Sequence, residues 1–280
     1  LQWKSRLEEE GVKVVLGLPH MKVHAKVCVI KKREFNKTKQ YGFISTGNFN
    51  EATAQYYGDY CLLTTNRNIL ADINRIFNFL EAVNPKVESL KACKTLPVAP
   101  VNMRKFFTDL INKEIRAAKK NKPASIILKS NSLVDSSLIN KLYEAARAGV
   151  ELKLIIRGSC CAYTAHKTFK KDIQAISIID EYLEHARVFV FHNDGKPKVF
   201  ISSADWMVRN LDHRVEAACP IYDTEIQKEL IDILNIQLAE NVKGRILDNE
   251  QRNEYIVRED GEPEVRSQEQ IYEYLHHKKK

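Results

Sequence analysis

His24-Ala25-Lys26-Val27-Cys28-Val29 and His185-Ala186-Arg187-Val188-Phe189-Val190 are the two stretches on which the fold turns. Each begins with histidine, carries a cation two residues on, and continues as an alternating apolar run of the kind that forms a strand. Residues two apart on a strand share a face, so each histidine is expected beside its cation. Each run leads to a second strand ending in small polar residues: Ser45-Thr46-Gly47-Asn48-Phe49-Asn50 in the first half, Ser202-Ser203-Ala204-Asp205 in the second. A six-residue match alone arises by chance. Together with the downstream turn it marks an internal repeat.

The repeat has a chemical logic. A neutral imidazole is a competent nucleophile towards phosphorus, and the phosphoramidate it forms is readily passed on. Lys26, beside His24, would neutralise non-bridging phosphate oxygens as charge moves. Gly47 lets backbone approach closely, while Asn48 and Asn50 offer donors to phosphate or to the histidine. His185 would take the complementary role, protonating a leaving oxygen or holding its phosphate. A single strand histidine is ordinarily structural; its recurrence in the repeat reverses that reading.

Outward from these stretches, strands are expected at 12–16, 26–30, 41–45 and 60–64, and a helix at 69–82 whose apolar residues recur every three to four positions. Residues 83–101 hold Pro85, Pro97 and Pro100 with little periodicity, and read as a connection between two domains, 1–92 and 93–280. The second domain reads as helix 103–119, strand 125–129, helix 136–148 stopped by Gly149, strand 152–156, strands 175–179, 187–191 and 198–201, and helix 225–238. Strands alternating with helices in both halves predict an α/β fold. The last forty residues are highly charged and give no clear assignment.

Composition bounds the rest. With 280 residues, 44% hydrophobic and 29% charged, the chain can bury a real core. The net charge of +8 suits polyanions, although runs such as Lys31-Lys32-Arg33, Lys119-Lys120 and Lys278-Lys279-Lys280 read as solvated surface. No apolar run reaches the roughly 18 residues of a membrane span. The N-terminal stretch is too charged for a signal peptide and lacks an initiator methionine, so a piece of a longer protein is expected. The six cysteines show no ligand spacing and, with Cys28, Cys61 and Cys219 in apolar stretches, favour a reducing, cytoplasmic compartment. Cys160-Cys161 reads as buried packing.

The His-x-Lys strand with its downstream turn, used twice, resembles the phospholipase D fold, in which two histidines face each other across a pseudo-dyad. The wider text is similar to polyphosphate kinases of the long, histidine-phosphorylated type. It does so in Leu18-Pro19-His20-Met21-Lys22-Val23-His24-Ala25-Lys26, in the Ser45 to Asn50 turn with Thr53-Ala54, and in Lys129-Ser130-Asn131-Ser132-Leu133-Val134-Asp135. Ile156-Arg157-Gly158-Ser159-Cys160-Cys161, Phe191-His192-Asn193, Ser202-Ser203-Ala204-Asp205-Trp206-Met207 and Arg209-Asn210-Leu211-Asp212 continue the match in order. The resemblance implies two phospholipase D-like α/β domains related by a pseudo-dyad, the first truncated at its N-terminus.

It also implies roles. His24 would be the phosphorylated histidine, Tyr57 and Arg157 contacts to ATP, and His185 a contact to ATP phosphates that acts as acid or base. The implied reaction moves the terminal phosphate of ATP to inorganic polyphosphate, reversibly and with Mg2+, whose residues would lie upstream of this chain; no metal ligand is identifiable within it. A homo-oligomer with peripheral membrane association is expected of the full-length protein, and no nucleic acid partner.

Asn48, Asn50, Lys129, Asn131, Arg187 and Arg209 are candidate phosphate or polyphosphate contacts. Lys129 and Asn131 also read as capping the helix that follows, and Arg209 and Arg214 as an ion-pair cluster around Asp212. Trp206 reads as core. His213 stands where many relatives have arginine, and Arg187 replaces the repeat's lysine with a two-pronged phosphate binder. Two alternatives stand beside this reading. A phospholipase D-type phosphodiesterase or nuclease would normally have an aspartate near position 32, where this chain has Lys31-Lys32-Arg33. A non-catalytic polyanion-binding module would bind with a salt-sensitive affinity indifferent to either histidine.

Overall fold

A computed structural model describes residues 2–278; Leu1, Lys279 and Lys280, and with the last two part of the terminal lysine run, lie outside the described residues. The first half runs α1 (Gln2–Glu9), β1 (Lys22–Val23), β2 (Lys26–Glu34), β3 (Lys37–Ser45), α2 (Glu51–Ala54), β4 (Tyr57–Gly58), β5 (Cys61–Thr64) and α3 (Arg67–Glu81). Then follow β6 (Val98–Ala99), α4 (Met103–Ala118), β7 (Ser125–Ser130), α5 (Ser136–Ala148), β8 (Glu151–Ile156), β9 (Gln174–Ile178), β10 (Leu183–Glu184), β11 (Arg187–Phe191) and β12 (Lys198–Ser202). The chain ends with α6 (Val208–His213), β13 (Arg214–Ile221), α7 (Thr224–Leu238), β14 (Gly244–Ile246) and α8 (Ser267–Lys278).

The α/β expectation holds, and the repeat is visible in the strand pairing. In the first half β3 lies between β2 and β5, and in the second β12 lies between β11 and β13, all antiparallel. The register is the same in both: Lys26 sits opposite Ser45, and Arg187 opposite Ser202. The second half extends its ladder into a nine-stranded sheet ordered β1-β13-β12-β11-β7-β8-β9-β14, with β6 on β13. β1, from the first half, thus adds to the sheet of the second.

Helix ends are fixed by polar caps. Asn66 accepts from Asn68 N and Ile69 N at the start of α3, and Asp135 accepts from Leu138 N at the start of α5. Gly149, at φ 97°, closes α5 in the left-handed conformation that favours glycine. Ile69, Leu70, Ile73, Ile76 and Phe79 form the buried stripe of α3. Ile69 and Ile73 share one core with Ile127, Val188 and Ile201 of the second half.

On the other face of the large sheet, Phe107 of α4 is fully buried among aromatic rings. Its ring centroid lies 5.0 Å from Phe189, 5.8 Å from Phe200 and 5.8 Å from Trp206, which is core as expected. Phe107→Ala is therefore expected to cost about 3–5 kcal/mol, read as a lowered midpoint in denaturant unfolding. A change below about 1 kcal/mol would contradict this packing.

One expected strand is missing and two elements went unread, for physical reasons. Residues 12–16 find no neighbouring strand among the described residues; Lys13, Val15 and Leu16, with Leu18 and Met21, wall a cavity of about 750 Å³ against Phe77 and Leu80 of α3. Residues 83–101, read as the connection between two domains, are themselves packed in place. Leu90, Cys93 and Leu96 are buried, Asp72 accepts from Thr95 N at 2.6 Å and Leu96 N at 2.9 Å, and β6 pairs with β13. β13 itself went unread because it is buried on both faces, so it shows no polar alternation. The charged tail is ordered by α8 and the residue before it: Arg266 meets Asp180 at 2.7 Å, and Tyr182 N donates to Gln268 at 3.0 Å.

All six cysteines are free thiols. Cys61 and Cys161 are exposed, against the expectation of apolar packing, while Cys93 and Cys219 are buried. Among the described residues no helix is long and apolar enough to cross a membrane.

Candidate active site

Each histidine is delivered by a short strand that crosses to the other half. β1 pairs in parallel with β13, Val23 opposite Val215, and then His24 N and Ala25 N both donate to the Val215 carbonyl at 2.9 Å. β10 pairs in parallel with β4, Glu184 opposite Gly58, and His185 N and Ala186 N donate to the Gly58 carbonyl at 3.3 and 2.9 Å. The histidines therefore sit in the break before β2 and β11 rather than opening those strands. Exchanging the two halves reproduces the pattern, which is the signature of an approximate two-fold relation.

The residue after each accepting carbonyl is acidic, and it holds the other half's histidine. His24 Nδ1 lies 2.9 Å from Glu216 Oε2, and His185 Nδ1 lies 2.8 Å from Asp59 Oδ2. Glu216 is fully buried and also accepts from the Ser203 hydroxyl and from Asn210 Nδ2, the latter at 2.7 Å. Asp59 accepts from Thr46 Oγ1 at 2.6 Å. Burial pushes the Asp59 carboxyl up, but His185, Thr46 and Arg187 outweigh it and hold the group below the ordinary carboxylate range. A carboxylate on Nδ1 keeps the proton there, which leaves Nε2 of His24 with a lone pair to offer, whereas Nε2 of His185 lies 3.2 Å from Arg187 Nη1.

The cations of the repeat differ in kind. Arg187 is spent: Nε and Nη2 reach the two oxygens of buried Asp205 at 3.1 Å each, and Nη1 donates to the His185 carbonyl at 2.9 Å and to Thr46 O at 3.3 Å. It is not a free two-pronged phosphate binder. Lys26 occupies the matching place in the first half, yet its Nζ is buried with no hydrogen-bond partner among the described residues. Burial lowers its pKa to about 8, with Arg187 and Lys22 pushing the same way and Glu216 and Asp59 opposing.

An unpartnered buried ammonium destabilises the fold that carries it. Because the folded value of about 8 lies below the ordinary 10.5, the unfolded chain binds this proton more tightly. The penalty is thus complete below pH 8 and fades as pH rises towards 10.5. Lys26→Met is expected to stabilise the chain by about 1–3 kcal/mol at neutral pH, measured by denaturant unfolding, and to remove that alkaline gain. A destabilised variant would show that the ammonium has a partner.

The remaining candidates divide. Tyr57 packs its ring 4.8 Å from that of His185. Arg157 reaches the Asn131 side-chain oxygen with Nε at 3.0 Å and Nη2 at 2.9 Å, and Asn131 Nδ2 donates to the His185 carbonyl at 3.0 Å, so both belong to the His185 side of the centre. Asn131 is not a cap, since Asp135 caps α5. Lys129 is buried in a pair with Glu184 and at 3.1 Å from Gln237, so its charge is engaged away from any phosphate. Asn50 is exposed and caps α2, accepting from Thr53 N at 3.0 Å. Asn48 and Arg209 are exposed side chains. The expected cluster around Asp212 does not form; Arg104 takes Asp212 at 2.6 Å and Asp135 at 2.5 Å instead.

Asp59, Glu216 and Asp205 went unread as site residues. Their signal was present in the repeat: Asp59 follows Thr46 by 13 residues, and Glu216 follows Ser203 by 13.

Comparison with known proteins gives a consistent result. Family models described as polyphosphate kinase C-terminal domain 1 and C-terminal domain 2 match residues 1–86 and 96–268. A polyphosphate kinase of Vibrio cholerae serotype O1 is 46% identical over 275 residues, 98% of this chain and 38% of that protein. One from Escherichia coli K12 is 40% identical over 275 residues, with 98% and 39% covered. The crystal structure of polyphosphate kinase from Porphyromonas gingivalis superposes with a TM-score of 0.89 at 40% identity, covering 99% of this chain and 42% of that one. The chain thus spans about two fifths of the length of these relatives.

Proposed function

This chain belongs to the polyphosphate kinase family, and from that premise we propose that it supplies the phosphoryl-transfer site of an ATP:polyphosphate phosphotransferase working through a phosphohistidine at His24. The observation that carries the reading is the crossed pair of contacts, His24 to Glu216 and His185 to Asp59. In this reading Nε2 of His24 attacks the γ-phosphorus of ATP. The N–P bond forms as the bond from phosphorus to the β,γ-bridging oxygen breaks, and ADP departs with that electron pair. The Nδ1 proton stays in its hydrogen bond to Glu216, whose charge stabilises the ring as it becomes cationic. The terminal oxygen of polyphosphate then attacks the same phosphorus, which frees His24 and lengthens the polymer; the reverse sequence makes ATP.

Lys26 neutralises the non-bridging oxygens, and His185, entering the step as the imidazolium with its Nδ1 proton on Asp59, gives its Nε2 proton to the leaving oxygen. Tyr57 and Arg157 meet the nucleotide from the His185 side. Magnesium is expected from the resemblance. Among the described residues no three His, Cys, Asp or Glu side chains converge. On the resemblance alone, the reading extends to a cytoplasmic homo-oligomer of the full-length protein.

The test is labelling of the full-length protein with γ-phosphate-labelled ATP. Acid-labile, base-stable label is expected on the wild type and none on His24→Ala. Label that persists in the variant, or cleavage of a simple phosphodiester without nucleotide, contradicts the reading.

A further inference from the structure

The two halves present near-identical histidine–carboxylate pairs, so the carboxylates do not explain why one ring would take the phosphoryl group. The difference lies one layer out. Position 205 of the second half is the counterpart of position 48 in the first, each three residues after the serine opposite its cation. Asp205 is buried, and beyond Arg187 it accepts from Ser130 Oγ at 2.9 Å and from Asn131 N at 2.8 Å. Asn48 is exposed and uncharged. The first half therefore gives its cation no carboxylate of its own turn.

We propose that Asp205 is a positioning residue that assigns the covalent step to His24, because it occupies Arg187 and leaves Lys26 as the repeat cation free to meet a phosphoryl group. The inference rests on the phosphohistidine reading above. Arg187, clamped between Asp205 and the His185 backbone, sets Nη1 3.2 Å from His185 Nε2, so it covers the nitrogen that would have to attack and has no charge left to gather phosphate oxygens around it. Lys26, buried and unpartnered, is the cation whose desolvation is relieved when an anion arrives. The transfer coordinate is therefore stabilised on the His24 side. Burial supports the assignment: the Asp205 carboxyl is pushed up by desolvation, yet Arg187 and the Ser130 and Asn131 donors hold it below its ordinary range, so it stays a charged partner.

The experiment maps which histidine carries label after brief exposure of the full-length protein to γ-labelled ATP. Wild type is expected to label His24 alone; no label there sinks the phosphohistidine reading itself, a separate failure. In His24→Ala with Asp205→Asn, label is expected on His185, and Asp205→Glu in the same background, which keeps the charge, is expected to return it to none. Absence of label in a folded His24→Ala/Asp205→Asn protein overturns the proposal. Should that variant not fold, Lys26→Met decides, since it removes a destabilising group. With Asp205 intact, it is expected to lose about 10²-fold or more of His24 labelling with no gain at His185. Label at His185, or His24 labelling at the wild-type rate, overturns the proposal.

Discussion

Gly47→Ala is expected to reduce turnover of the full-length protein by about 10²-fold or more, a large effect for one methyl group. A Cβ at Gly47 would lie 1.8 Å from Asp59 Oδ2 and 2.2 Å from its Cγ, so the carboxylate must move. Asp59 is pinned by Thr46 and by His185, and displacing it misdirects the second histidine. The backbone at Gly47 is not in the left-handed region, so the loss comes from the contact and not from strain. The repeat suggests the repair: the second half has Ala204 at this position together with the longer Glu216. Gly47→Ala with Asp59→Glu should recover a substantial part of the turnover. Full activity in Gly47→Ala alone would show that Asp59 does not orient His185.

Glu216→Gln is the second large effect, about 10²–10³-fold slower phosphoryl transfer to His24. The amide oxygen can keep the contacts to His24 Nδ1 and Ser203. Its NH2 then faces Asn210, whose Oδ1 is buried without a partner and becomes the acceptor once that amide turns over. Geometry is thus preserved and only the charge is lost, so the unfolding midpoint should change little while the labelling rate falls. A labelling rate within about three-fold of wild type would remove Glu216 from the account.

How much of this could be read in the sequence depends on the range over which each signal acts. The α3 and α5 helices were legible because their apolar stripes and caps lie within a few residues of each other, as at Asn66 with Ile69 and Asp135 with Leu138. The histidine repeat was legible for the same local reason. β13 was not, because burial on both faces erases the alternation that marks a strand. The strand expected at 12–16 had the right composition, but a strand exists only with a partner to pair with.

The site shows the same division more sharply. Histidine and cation are adjacent in sequence, whereas the carboxylates on His24 and His185 come from 192 and 126 residues away. Only the matched spacing from Thr46 to Asp59 and from Ser203 to Glu216 hinted at them. Asp205 is close in sequence to much of its surroundings, but that it cancels Arg187 depends on both being buried, and no local pattern carries burial of a charge. Lys129 misled for the opposite reason: it follows the apolar run of β7, but Glu184 and Gln237 absorb it in the interior.

Glu216, reaching across from the second half, fixes the His24 ring with Nδ1 protonated and Nε2 left to meet phosphorus. The direct measurement is the attachment point of the phosphoryl group on the labelled full-length protein, read by phosphorus–nitrogen–carbon NMR correlation of the isolated His24 peptide kept at alkaline pH. Phosphorus bonded to Nε2 of His24 is the expected result. Phosphorus bonded to Nδ1, the nitrogen the structure gives to Glu216, would contradict it.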